Sequence, residues 1–129
     1  MKNALVMAYI GDAIYEVYIR RFLIDSGISK VNDLQTASLK YVSAVSQRKH
    51  FERLMDASFL TEEEIDIFKW GRNTHGGKAK NADIVTYRIA TGLETLIGSL
   101  YYSNNIKRIE EIMNFIVGEW YESIWKKCV

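Results

Sequence analysis

The sequence predicts an all-α protein, and three observations carry that reading. Nearly every segment spaces its apolar residues three or four positions apart, the repeat of a helix with one buried face. No run alternates apolar and polar residues for long enough to make a strand. The 129 residues include no proline and no Gly/Ser-rich linker, so a single domain over residues 1–129 is expected.

The first helix is expected from about Asn3 to about Asp25, closed by the Ser26-Gly27 stop signal. After a loop around residues 28–32, Leu34, Ala37, Tyr41, Ala44 and Val45 form a stripe that continues, with room for a break, to about Met55. Thr61 followed by Glu64 has the form of a capping box and opens a short helix through Ile65, Phe68 and Lys69. From Gly71 to Asp83 the periodicity fails, and three glycines point to a mobile loop. Helix resumes at about Ile84 and runs to about Tyr102, with Ala90, Leu93, Ile97, Leu100 and Tyr101 as packing residues. Asn104-Asn105 interrupts the chain, and a last amphipathic helix covers about Ile106 to Trp125, with Ile109, Ile112, Met113, Ile116, Trp120 and Ile124 facing inward.

Composition sets limits on function. The longest apolar run, Ala4 to Ile10, is too short to span a bilayer, and the N-terminus has no signal-peptide pattern. A lone Cys128 excludes an internal disulfide framework and fits a reducing cytoplasm, so cytoplasmic localisation is expected. Net charge of +1 does not announce a nucleic-acid partner, but the distribution is uneven. Between Lys69 and Arg88 stand five basic residues (Lys69, Arg72, Lys78, Lys80, Arg88) against one acid, Asp83, so an anionic partner would be met locally.

Two acids stand out. The stretch Ala4–Arg21 is apolar on nearly every side, as in a helix that is buried or shared between subunits. Asp12, Glu16 and Arg20 form a polar stripe through it at four-residue steps, and Gly11, which costs a helix about 1 kcal/mol against Ala, suggests a close neighbour. Glu94 has a similar setting, flanked by Gly92 and Gly98. Each acid is either a core carboxylate satisfied by a cation or helix end, or one of two carboxylates that meet across packed glycines to hold a hard cation such as Mg2+. Glu16 is either a third member of such a site or the partner of Arg20.

The loop lacks the order of a nucleotide cradle. Its Lys78 and Lys80, flanked by Arg72 and Arg88, either contact backbone phosphates or form a solvated surface. His50 reads as a helix-surface residue, and His75, on the loop, could touch RNA. Neither histidine has the company of a zinc site, and no serine has a nucleophile-elbow context.

Ala8-Tyr9-Ile10-Gly11-Asp12-Ala13-Ile14-Tyr15-Glu16 resembles the ribonuclease III signature. The run from Thr91 through Glu94 and Leu96-Ile97-Gly98-Ser99-Leu100 to Tyr101 resembles that family's second acidic motif. Gly71-Arg72-Asn73 and Lys80-Asn81, ahead of Tyr87-Arg88, look like the short branch, Mini-ribonuclease III, which has no double-stranded-RNA-binding domain. The resemblance covers essentially the whole chain. It implies a helical, homodimeric, Mg2+-dependent endoribonuclease that cuts double-stranded RNA to a 5′-phosphate and a 3′-hydroxyl, with the first helix at the dimer seam. Asp12 and Glu94 correspond to the catalytic, metal-binding acids; Arg72, Lys78, Lys80, Asn81 and Arg88 become the RNA contacts. Two further family acids are replaced here by Ala8 and Thr91, leaving a thinner metal shell. The implied substrate is the stem of precursor 23S ribosomal RNA, and an assisting ribosomal protein is a further partner the reading admits. The sequence leaves two rivals open, a non-cleaving helical dimer that grips structured RNA and a helical interaction domain that binds protein alone.

Overall fold

A computed structural model describes residues 3–74 and 83–128, with side chains described as far as residue 118. Helix α1 (Ala4–Asp25) starts where the Asn3 side chain accepts a hydrogen bond from the Val6 amide, and it stops at Ser26 and Gly27, the latter at φ +102°. Helices α2 (Val31–Val42) and α3 (Ala44–Asp56) divide the second helical stretch at Ser43. That residue is extended, and its hydroxyl caps α3 by accepting from the Ser46 amide at 3.2 Å.

The expected capping box opens α4 (Glu62–Asn73): Thr61 Oγ1 accepts from the Glu64 amide, and Glu64 Oε1 accepts from the Thr61 amide. Glu64 is also the buried end of an ion pair with Arg108, at 2.7 Å, which ties α4 to α6. Helix α5 (Ile84–Tyr102) is capped by the Asp83 side chain, and α6 (Ile106–Cys128) follows Asn104, which turns the chain at φ +58°. No strand occurs among the described residues.

The helices converge on α5, which packs most extensively against α1 and α4 and then against α3. Its Ala90, Gly92, Thr95 and Gly98 are buried small residues, and they let neighbouring backbones approach closely. Around them Tyr15, Ile19, Leu23, Leu54, Leu93, Leu96, Ile97, Ile109 and Ile112 form a core closed to solvent.

Several expectations are corrected. Gly71–Asn73 continue α4 rather than starting the loop, and Gly71 packs there so closely on Thr95 of α5 that a Cβ would overlap its side chain. Val45 and Tyr101 are exposed, each lying off the stripe that meets the core. His50 is not a surface residue: its ring stacks on Tyr41 at 5.8 Å, and both ring nitrogens are buried without a hydrogen bond. Trp120 and Ile124 lie on α6 where side chains are outside the described residues.

Candidate metal and active site

The site begins with two glycines. A Cβ at Gly11 would overlap the Glu94 carbonyl and approach the Gly98 amide, and a Cβ at Gly98 would overlap the Met7 carbonyl. Helices α1 and α5 therefore cross backbone against backbone, a distance no larger residue permits. Asp12 follows Gly11, and Glu94 stands one turn before Gly98, so the crossing sets the two acids side by side. Their side chains are close enough that Asp12 acts directly on the Glu94 carboxyl. Gly92 does not take part, since it meets the Phe68 ring of α4.

The two carboxylates differ in setting. Asp12 is exposed, which rules out its reading as a core carboxylate, while Glu94 is partly buried. Burial first, then the hydrogen bond and like charge of Asp12, push the Glu94 carboxyl up to about 8. One neighbour acts the other way: Gln47 Nε2 donates to Glu94 Oε2 at 3.4 Å. Gln47 was not anticipated from the sequence. Its only signal is a polar residue on the otherwise apolar face of Ala44, Phe51 and Leu54.

The α2–α3 break holds this floor in place. The Tyr15 hydroxyl donates to the Tyr41 carbonyl at 2.8 Å, and Gln47 Nε2 also donates to the Val42 carbonyl at 3.2 Å. Burial, with Glu94 nearby, pushes the Tyr15 phenol pKa well above its ordinary value, so it stays a donor. Glu16 is held by Arg20 at 2.9 Å, the pairing that was one of its two readings. Ala8 is buried, and the Thr91 hydroxyl donates back to the Tyr87 carbonyl of its own helix. Among the described residues no cluster of three His, Cys, Asp or Glu side chains forms, and Asp12 and Glu94 are the two acids that meet at the helix crossing. Two adjacent carboxylates with little counter-charge suit a divalent cation that keeps most of its waters.

Arg72 and Arg88 line one groove of roughly 550 Å³, together with Phe51, Phe68, Asn73, Val85 and Ile89. The Arg72 guanidinium lies 5.7 Å over the Phe68 ring, and its Nε donates to Asn73 Oδ1. Asp83, the single acid of this basic stretch, is occupied as the α5 cap and stands 3.7 Å from Arg48. Phe51 lies one turn along α3 from Gln47, so a single helix borders both the groove and the acid pair. His75, Lys78, Lys80 and Asn81 lie outside the described residues. No described helix is long and apolar enough to cross a membrane.

Residues 5–105 match the family model of the ribonuclease III domain. The chain is 43% identical over 116 residues to Mini-ribonuclease 3 of Streptococcus pneumoniae, covering 89% of this chain and 91% of the relative. It is 46% identical over 114 residues to Mini-ribonuclease 3 of Brevibacillus brevis, covering 88% and 84%. The crystal structure of a protein from Fusobacterium nucleatum superposes with a TM-score of 0.79 at 26% identity, covering 92% and 93% of the two chains.

Proposed function

The chain belongs to the ribonuclease III family, in its Mini-ribonuclease 3 branch, and from that premise we propose that it hydrolyses double-stranded RNA in a Mg2+-dependent reaction at Asp12 and Glu94. It is an endoribonuclease of ribonuclease III type. The observation that supports the site assignment is the backbone crossing at Gly11 and Gly98, which brings Asp12 near enough to act on the Glu94 carboxyl.

In this reading Asp12 and Glu94 hold the cation, which when bound supplies charge neutralisation at the phosphate and makes a water easier to deprotonate. The protein's own contribution is placement. Gly11 and Gly98 fix the helix separation, and Asp12 at the surface gives a phosphodiester direct access to the pair. Arg72 and Arg88 grip backbone phosphates beside their groove, and Lys78, Lys80 and Asn81 extend that contact. Shape readout of an A-form duplex through phosphates and 2′-hydroxyls then suffices for recognition.

The working form is a homodimer with one site per strand. Its support is α1, which leaves Val6, Tyr9, Val17 and Ile24 exposed, Tyr9 to 83%, on a helix whose other face is core. The substrate proposed is the stem of precursor 23S ribosomal RNA in the cytoplasm, with residues 1–129 acting as one catalytic domain. A ribosomal protein that presents this stem is the further partner.

The test is incubation with long double-stranded RNA, with and without Mg2+, beside the Asp12→Asn variant. Cleavage that needs both Mg2+ and Asp12 supports the proposal; cleavage indifferent to either refutes it.

A further inference from the structure

We propose that Gln47 is a positioning residue, which aims the Glu94 carboxylate at the shared cation site by donating to Oε2 and so leaves Oε1 for the metal. The proposal rests on the metal-site reading above and goes beyond its two acids. Gln47 is 2% exposed, a burial that long polar side chains rarely reach without a specific partner. Its amide nitrogen faces two acceptors, Val42 O at 3.2 Å and Glu94 Oε2 at 3.4 Å. Only a nitrogen satisfies both when Glu94 is ionised, so the chemistry fixes which end of the amide points there.

The Val42 contact explains half of the side chain. Val42 ends α2, and the extended Ser43 leaves its carbonyl without a helical donor. One N–H of Gln47 serves that carbonyl, and the second is free to serve Glu94. Packing alone does not account for an amide here. Gln47 Oε1 is buried without a hydrogen bond, a penalty that methionine of similar volume would avoid. Partners that orient a metal-binding side chain in this way typically change metal affinity or turnover by about 10–100-fold when removed.

The distinguishing experiment measures Mn2+ binding to the RNA-free protein by paramagnetic resonance, alongside cleavage kinetics. Gln47→Met is expected to keep its melting temperature within a few degrees and its KM for RNA, while Mn2+ affinity and kcat each fall about 10-fold or more. In a Glu94→Gln background the same change should cost no further Mn2+ affinity, because Gln47 acts only through Glu94. Gln47→Ser, which keeps the position polar but cannot reach Glu94, should reproduce the loss if the Met variant does not fold.

Equal Mn2+ affinity in folded Gln47→Met and wild type overturns the proposal and leaves the two-acid site standing. An equal loss in the Glu94→Gln background also overturns it. So does loss of fold in both Gln47 variants, since the residue would then hold the fold rather than the carboxylate. Mn2+ binding unaffected by Asp12→Asn would instead sink the metal-site reading itself.

Discussion

The carbonyl oxygen of Glu94 occupies the space that a side chain at Gly11 would need. A helix normally gains from alanine at an interior glycine, and at this crossing the geometry reverses the sign. The acid pair lies at that crossing, so forcing α1 and α5 apart would shift Asp12 relative to Glu94.

Gly11→Ala should therefore lower stability by about 1–3 kcal/mol, the usual range for overpacking, and weaken Mn2+ binding as well. Gly118→Ala is the matched control. A Cβ there meets nothing within 4 Å, and the change should raise stability by about 0.5–1 kcal/mol. Urea unfolding of both variants checks the pair of signs.

The Glu94 carboxyl predicts a pH trend in the metal-free protein. Its folded value, about 8, lies above its ordinary 4.5, so the folded state binds more protons between those values. That contribution to stability is full below about pH 4.5 and is lost as pH rises towards 8. Glu94→Gln should remove the decline and melt higher than wild type at pH 8. Calorimetric melting across pH, without divalent cation, provides the measurement.

His50 predicts the opposite slope. Burial, then the charges of Arg53 and Lys49, hold it down to about 4 against an ordinary 6.5. The unfolded chain binds the proton first, so stability is full above about pH 6.5 and falls as pH drops towards 4. His50→Phe keeps the stack on Tyr41 and should abolish this acid-side loss. The two trends overlap between pH 4.5 and 6.5, and melting the single and double variants separates them.

Arg72→Ala or Arg88→Ala should weaken binding to duplex RNA several-fold irrespective of sequence. Each should also reduce the dependence of log affinity on log salt by about 1. Filter binding over a salt series, in Ca2+ to suppress turnover, reads both effects. An unchanged salt slope would remove that arginine from the phosphate contacts.

Much of this architecture is legible in the chain. Asn3, Ser26-Gly27, Thr61 with Glu64, and Asn104 mark helix ends by local hydrogen-bonding chemistry, and the structure places the ends there. The glycines at 11 and 98 point to a close crossing because they are costly within helices without one. What stays hidden depends on contacts between distant segments. Gly71 reads as loop because its partner, Thr95, is 24 positions away. His50 reads as surface because only the turn at Ser43 folds Tyr41 over it. Gln47 carries no motif at all, and its meaning appears once α3 lies against Glu94.

The most direct test of the account measures cleavage of long double-stranded RNA in Mg2+ by wild type and by Asp12→Asn, with circular dichroism to verify the fold. Asp12 is exposed, so its replacement should leave the helices intact. The account predicts a folded Asp12→Asn protein with cleavage no greater than wild type shows in chelator. A folded variant that cuts at the wild-type rate would contradict it.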